Sequence, residues 1–225
     1  MVARTRRPLT TSDTAALRRI GQSVRSRLEA DPSAYRIPID GLEIFAVSAF
    51  FTTAECQRLM AIVDDVARPS PTYDGGADRG RTSYTGDVDP WDPFIQMLQR
   101  RIDDLLGFDP GMGETIQGQR YAVGQEFRAH YDHFSPSHSF WQTEQARGGQ
   151  RSWTVMAYLN AVEEGGATEF PKVGLSIPPQ AGALLTWNNM TPDGVPNPNS
   201  LHAGCPVIHG TKYVLTKWYR TRAWV

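Results

Sequence analysis

Apolar residues recur at helical spacing in three stretches of the first half of the chain. The first stretch contains Leu17, Ile20, Val24 and Leu28. It predicts an amphipathic helix that packs against the rest of the protein. The second stretch follows Thr52 and Glu55, whose spacing is that of a capping box at a helix start. The third begins near Asp89-Pro90 and ends at Gly107, because proline favours the first helical turn and glycine the end.

The second half shows short runs typical of strands, separated by clusters of Gly, Pro and Asn. These runs are residues 115–127, 152–160, 167–170, 183–187, 207–208 and 213–218, and one earlier run covers residues 37–47. Helices followed by many short strands predict an α+β fold whose catalytic half is a sandwich or barrel. We expect residues 1–30 to form an N-terminal extension and residues 31–225 one domain, with its catalytic β-core at about 114–222.

Three polar stretches are predicted to connect helices and strands. Residues 31–36 resemble a linker, and residues 69–84 and 134–149 are predicted to be loops. Trp141 lies in the last of these, where it either contacts a ligand or anchors the loop.

Size and charge narrow the class of protein. A chain of 225 residues fits one domain with a full core, and its net charge of −1 gives no reason to expect nucleic acid or an anionic membrane as partner. No apolar run approaches the roughly 18 residues of a membrane span. Cys56 and Cys205 lie far apart, so we expect no disulfide and a reducing, cytoplasmic location. An arginine-rich start loosely resembles a transit peptide, but the helical spacing there favours a packed helix. The oligomeric state is left open.

The chemistry of the chain centres on two histidines and one carboxylate. His130 and Asp132 stand two residues apart at the end of a predicted strand, so both side chains point to the same face. His202 follows 70 residues later and is able to complete the set from a neighbouring strand. Two His and one carboxylate bind Fe(II) in non-haem oxygenases and leave open positions for a co-substrate and dioxygen.

Three other histidines compete for this role. His133 would face away from His130, which indicates a surrounding or surface position, while His138 and His209 are predicted to lie in loops.

A zinc hydrolase would use the same ligand set with water as the fourth ligand. A non-catalytic jelly-roll binding module is the alternative outside enzymes.

Lys212 lies inside an otherwise apolar run, ten residues after His202. A buried lysine needs an anionic partner. The distal carboxylate of 2-oxoglutarate would supply one, and Thr168 would add a hydroxyl donor. A zinc hydrolase would not explain Lys212 together with Thr168. A purely binding module has little need for open coordination positions at an intact ligand set, so the sequence favours an oxygenase.

Four ordered blocks resemble the prolyl 4-hydroxylase branch of Fe(II)- and 2-oxoglutarate-dependent dioxygenases. They are residues 117–134, residues 151–160 with 163–171, residues 179–187, and residues 201–220. The resemblance extends over about residues 38–222. It implies a double-stranded β-helix, or jelly-roll, core supported by N-terminal helices.

The same resemblance implies roles for individual residues. His130, Asp132 and His202 would be the iron ligands and hence the catalytic residues. The 2-oxoglutarate-binding residues would be Lys212, Tyr121 and Thr168. The residues near the bound substrate would be Arg151, Trp218 and Arg220. Related halogenases lack the ligating carboxylate, so Asp132 favours hydroxylation.

We therefore expect an enzyme that uses Fe(II), 2-oxoglutarate and dioxygen, with ascorbate as a candidate accessory reductant. The expected reaction is hydroxylation of an unactivated C–H bond, first of all in a prolyl residue of a peptide or protein. Hydroxylation of a free amino acid or another small metabolite is the alternative. The two loops decide between these substrates, and their sequence does not identify one.

Overall fold

The computed structural model of the protein describes residues 11–70 and 80–225, so part of the predicted 69–84 loop lies outside the described residues. The helices are α1 (Thr11–Ala30), α2 (Thr53–Val66), α3 (Pro93–Leu106) and α4 (Trp141–Arg147). Short 3-10 helices cover Pro110–Met112 and Pro198–Ser200. Within the described part, no helix has the length and apolar character that a membrane span requires.

Fourteen strands form three sheets among the described residues. In chain order they are β1 (Ala34–Arg36), β2 (Ile44–Val47), β3 (Arg68–Pro69), β4 (Tyr84–Asp87), β5 (Gln117–Tyr121), β6 (Phe127–His130), β7 (Arg151–Tyr158), β8 (Glu164–Gly165), β9 (Thr168–Phe170), β10 (Leu175–Ile177), β11 (Leu184–Asn188), β12 (His202–Gly204), β13 (Val207–His209) and β14 (Lys212–Arg220).

The major sheet has the strand order β1-β2-β11-β7-β14-β5-β4-β3, and the minor sheet has the order β10-β9-β12-β6. Strands β13 and β8 form a separate pair. Each of these strand pairings is antiparallel. The α+β prediction is confirmed, and two facing antiparallel sheets are the arrangement that a double-stranded β-helix requires.

The two faces of the major sheet serve different purposes. In β7, Trp153 and Val155 belong to the core that packs against helices α1 to α3. Thr154 and Met156 point to the opposite face, towards the minor sheet. This alternation follows from the two-residue period of a strand. The helices therefore support one face, while the other face lines the space between the sheets.

The starts of α2 and α3 can be compared with those predicted from the sequence. Thr52 Oγ1 accepts from the backbone N–H of Glu55, and the Glu55 carboxylate accepts from the backbone N–H of Thr52, which confirms the capping box. Helix α3 begins later than predicted. Its cap is Asp92, followed by Pro93, while Asp89 stabilises the preceding turn by accepting from the Trp91 N–H at 2.9 Å.

Helix α3 ends as predicted at Gly107, in the left-handed conformation with φ +74°. Two predicted connections, in contrast, contain regular structure. The predicted 31–36 linker contains β1, because Ala34–Arg36 pairs with β2. The predicted 134–149 loop contains α4. Trp141 is the first residue of that helix and is 2% exposed, so it anchors the segment to the protein.

Candidate iron and co-substrate site

Three predicted ligands meet where β6 and β12 pair in the minor sheet. His130 ends β6 and His202 begins β12, and the two residues face each other in the register of the ladder. Asp132 follows two residues after His130, outside the strand. Its carboxylate oxygens lie 3.7 Å from His130 Nε2 and 3.6 Å from His202 Nε2. One ligand atom from each residue lies within 4.8 Å of the other two.

Backbone carbonyls fix which nitrogen of each histidine carries the proton. His130 Nδ1 lies 2.8 Å from the Arg128 carbonyl, and His202 Nδ1 lies 2.9 Å from the Ser200 carbonyl. A carbonyl only accepts, so each Nδ1 carries a hydrogen, and in the neutral imidazole Nε2 then keeps a free lone pair. Both lone pairs are therefore on the nitrogens nearest Asp132, which is how metal-ligating histidines are usually oriented.

The electrostatics keep His130 and Asp132 ready to bind a cation. Burial, with nearby His202, lowers the pKa of His130 to about 3, so that imidazole is neutral near pH 7. Burial opposes ionisation of Asp132, yet the neighbouring histidines, Arg151 and a hydrogen bond from Thr154 outweigh it and lower its pKa. Two imidazole nitrogens and one carboxylate fit Fe(II), and the donor set alone would also suit zinc.

One cavity joins this ligand set to Lys212. Lys212 is 2% exposed, and its Nζ lies 5.4 Å and 5.5 Å from the ring centres of Tyr121 and Tyr158. Among the described residues, no carboxylate lies within ion-pair distance of it. Burial lowers the pKa of Lys212 to about 8. A buried cation with access to a cavity is suited to hold an anionic ligand.

The other two residues predicted to bind the co-substrate also line this cavity. The Tyr121 hydroxyl donates to Gln119 at 2.7 Å. When the Tyr158 hydroxyl donates to Thr168 Oγ1 at 2.8 Å, and not to the Ile177 carbonyl at 3.2 Å, the Thr168 hydrogen has only the Met156 sulphur at 3.9 Å as a partner. A thioether sulphur is a weak hydrogen-bond acceptor. Thr168 is therefore able to donate to an anion held by Lys212.

Tyr158 and Gln119 were missed by the sequence reasoning. Tyr158 stands two residues after Met156 and four after Thr154 on β7, so the strand period places it on the face that lines the site. That period was the signal available for Tyr158. Gln119 stands two residues before Tyr121 on β5 and follows the same period.

The predicted substrate residues fall into two layers. Trp218 lines the cavity, and the guanidinium of Arg151 stacks behind it at 3.9 Å from the ring centre. Glu114, which sequence reasoning missed, holds Arg151 through two contacts of 2.7 Å. Arg220 lies deeper. It is fully buried, and its guanidinium contacts Glu144 at 2.5 Å and Glu114 at 3.4 Å.

The remaining histidines lie apart from the ligand set. His133 is half-buried, with its ring 4.7 Å from that of Tyr131. His138 lies in the loop before α4. His209 ends β13 and is not a loop residue; its Nε2 lies 3.7 Å from an oxygen of Glu164 at the surface.

Comparisons with known proteins agree with this geometry. Residues 116–220 match the family described as the 2OG-Fe(II) oxygenase superfamily. Probable prolyl 4-hydroxylase 8 of Arabidopsis thaliana is 34% identical over 201 residues, which covers 78% of this chain and 67% of the relative. Prolyl 4-hydroxylase subunit alpha-3 of Homo sapiens is 40% identical over 177 residues, covering 75% of this chain and 32% of the relative.

A solved structure shows the same similarity in three dimensions. The viral collagen prolyl hydroxylase of Paramecium Bursaria Chlorella virus-1, in its 2OG complex, superposes with a TM-score of 0.63 at 26% identity. The match covers 81% of this chain and 98% of the viral one. The chain spans about two thirds of the length of the curated plant relatives it matches.

Proposed function

Because the chain belongs to the prolyl 4-hydroxylase-like family of Fe(II)- and 2-oxoglutarate-dependent dioxygenases, we propose that it hydroxylates a prolyl residue in a peptide or protein. The observation that carries this proposal is one cavity with the His130, Asp132 and His202 ligand set and, in the same wall, a buried Lys212 without an acidic partner among the described residues. The donor set alone leaves iron and zinc open, and family membership decides for iron.

His130, Asp132 and His202 would hold the metal through two Nε2 atoms and a carboxylate oxygen. When iron, 2-oxoglutarate and dioxygen are bound, one oxygen atom enters the substrate C–H bond, while the other enters succinate as carbon dioxide leaves. The protein contributes orientation and a fixed charge. Its three ligands leave the remaining positions of an octahedral ion open.

Lys212 and Thr168 orient the co-substrate. The ammonium of Lys212 would pair with the distal carboxylate, and the hydroxyl of Thr168 would donate a hydrogen bond to it. Such charge-assisted bonds are stronger than neutral ones, above all where water is excluded. The rings of Tyr121 and Tyr158 near Lys212 Nζ add cation–π stabilisation to the buried ammonium.

Trp218 supplies an apolar wall for the substrate. Arg151 stacks against this indole and is held by Glu114, so the ring is fixed before substrate arrives. A flat, rigid aromatic surface suits a pyrrolidine ring, which has no charge or hydrogen-bond donor of its own when it is part of a peptide.

Peptidyl proline is preferred to a free amino acid as substrate. The curated relatives in the comparison are named as prolyl 4-hydroxylases. A free amino acid carries an ammonium and a carboxylate that require their own charged partners. Arg151 and Arg220 have acidic partners already, Glu114 and Glu144. The site therefore favours a substrate whose main chain is neutral.

The test is a product assay. The enzyme, Fe(II), 2-oxoglutarate and ascorbate are incubated in air with a proline-rich peptide or with free proline, and His202→Ala serves as control. We expect peptide product that has gained one oxygen atom, with matching succinate, from wild type alone. Hydroxylation of free proline but not of the peptide would overturn this proposal and indicate a free amino acid as the substrate.

A further inference from the structure

A chain of three buried hydrogen bonds leads from the major sheet to Asp132. The Trp187 indole Nε1 lies 3.1 Å from Asn189 Oδ1, and Asn189 Nδ2 lies 2.8 Å from Thr154 Oγ1. Thr154 Oγ1 then lies 2.7 Å from Asp132 Oδ2. Trp187, Asn189 and Thr154 are at most 1% exposed. Water therefore does not compete for these bonds.

The indole sets the direction of every bond in this chain. An indole N–H only donates, so the Asn189 amide must present its oxygen to Trp187 and its nitrogen to Thr154. Since the amide nitrogen only donates, Thr154 Oγ1 accepts from it. The single hydroxyl hydrogen of Thr154 is then directed to Asp132. The carboxylate thus receives a hydrogen bond whose direction is fixed from within the core.

This chain is also a mechanical link between the two sheets. Asp132 follows β6 and lies outside any strand, so no ladder holds it. Thr154 lies in the middle of β7, between β11 and β14 in the major sheet. Asn189 is fixed through its backbone, which donates to Ser152 O at 2.8 Å and accepts from Asn197 N at 3.0 Å. Asp132 is therefore held by a side chain on a rigid strand.

We propose that Thr154, directed by Asn189, is a positioning residue that presents Asp132 to the metal through one oxygen. The inference rests on the proposed function. A hydrogen bond to Oδ2 uses a lone pair of that oxygen and fixes the rotation of the carboxylate, which disfavours chelation through both oxygens. Single-oxygen ligation keeps a further coordination position open for 2-oxoglutarate and dioxygen.

The neighbouring strand of the protein offers a matched control for this proposal. Thr186 is fully buried in β11, and its hydroxyl donates to the backbone carbonyl of Thr154 at 2.9 Å. Thr154→Val and Thr186→Val each replace one buried hydroxyl by a methyl group of similar size in adjacent strands. Only the first removes a bond to Asp132. Thr154→Ser keeps the hydroxyl and is expected to retain the bond.

The experiment measures metal binding apart from turnover. Mn(II) is titrated with each intact protein, and the unbound ion is followed by its electron paramagnetic resonance signal. We expect Thr154→Val to bind Mn(II) about 10 to 100 times more weakly than wild type, the range found for partners of metal ligands. Thr154→Ser and Thr186→Val should bind it as wild type does. Thermal denaturation of the metal-free proteins compares their folding.

Two results would overturn the proposal. One is wild-type Mn(II) affinity in a folded Thr154→Val. The other is equal weakening in Thr154→Val and Thr186→Val, which would indicate a general loss of packing. A second titration of wild type with Fe(II) and 2-oxoglutarate under anaerobic conditions keeps the proposed function separate. If its visible charge-transfer band is missing while Mn(II) still binds, the proposed function fails, and Mn(II) affinity alone decides the role of Thr154.

Discussion

Replacement of Lys212 by methionine tests the electrostatic part of the site. Methionine keeps an unbranched side chain in a position that is 2% exposed, and it removes the charge. Burial lowers the pKa of Lys212 from 10.5 to about 8, a difference that corresponds to about 3 kcal/mol. In the protein without co-substrate, this free energy is an unfavourable cost of holding a cation in the wall of the cavity.

Two results of opposite sign should follow from Lys212→Met. Loss of one partner from a buried ion pair costs about 2–5 kcal/mol, so 2-oxoglutarate should bind roughly 30 to several thousand times more weakly. The protein without co-substrate should melt at the same temperature as wild type or higher, because the buried charge is gone. Simple damage to the fold would lower both affinity and melting temperature.

The assay is an anaerobic titration of 2-oxoglutarate at fixed Fe(II), followed by the visible charge-transfer band. Lys172→Met is the control, because Lys172 is exposed and does not line the cavity. We expect wild-type affinity in the control. Wild-type affinity in Lys212→Met would refute the assignment of Lys212 to the co-substrate carboxylate.

The pH dependence gives an independent check on the same lysine. Only the protonated amine attracts an anion, and its pKa in the empty site is about 8. Affinity for 2-oxoglutarate should be constant well below pH 8 and should weaken as the pH rises through and above that value. In Lys212→Met this weakening should be absent. The same decline in both proteins would show that another group causes it.

Three further predictions concern stability. Thr52→Ala removes the capping hydroxyl of α2 and should lower the free energy of unfolding by about 1 kcal/mol in urea denaturation. An unchanged denaturation midpoint would show that the cap does not stabilise the protein. Leu59→Ala should cost about 2–5 kcal/mol in the same assay, because Leu59 is fully buried in the core beneath α2, and a loss below about 1 kcal/mol would contradict that burial. Lys217→Met should cost about 3–5 kcal/mol, because Lys217 Nζ lies 3.4 Å from the buried Asp103 carboxylate. Adding Asp103→Asn should recover much of this loss, and simple addition of the two losses would contradict the coupling.

Local patterns predicted much of the site. The two-residue period of a strand predicted His130 and Asp132 on one face. The structure brings both to His202, although β6 ends at His130 and Asp132 follows the strand. The same period applies to β14, where four alternate residues line the cavity. They are Lys212, Val214, Thr216 and Trp218. The capping box at Thr52 is likewise a local signal, which explains why it could be predicted.

Pairings between distant segments could not be predicted. Glu114 and Arg151 form a bidentate pair 37 residues apart, and Thr154 reaches Asp132 across 22 residues. Such contacts depend on which strands become neighbours and in which register, and no local period encodes that. Arg220 illustrates the same limit. The sequence places it two residues after Trp218, but only the fold shows that two acidic side chains enclose it.

The predicted start of α3 was wrong, and α4 was not predicted, for a related reason. Asp89-Pro90 and Asp92-Pro93 offer the same start signal three residues apart. The sequence alone does not choose between them. The structure uses the later one, with Asp92 as the cap and with Ile95 and Leu98 of the helix in the core. Helix α4 is short, and the sequence of its segment is mostly polar. It depends on Trp141 and on the contact of Glu144 with Arg220, both of which require the finished fold.

The most direct test of the account is anaerobic addition of Fe(II) and 2-oxoglutarate to the metal-free protein, with His202→Ala as control. His202 is one of the three proposed ligands, so its loss should abolish the chelate while the remaining fold persists in thermal denaturation. The account predicts a visible charge-transfer band in wild type and none in His202→Ala. Absence of the band in folded, metal-loaded wild type, or an equal band in His202→Ala, would contradict it.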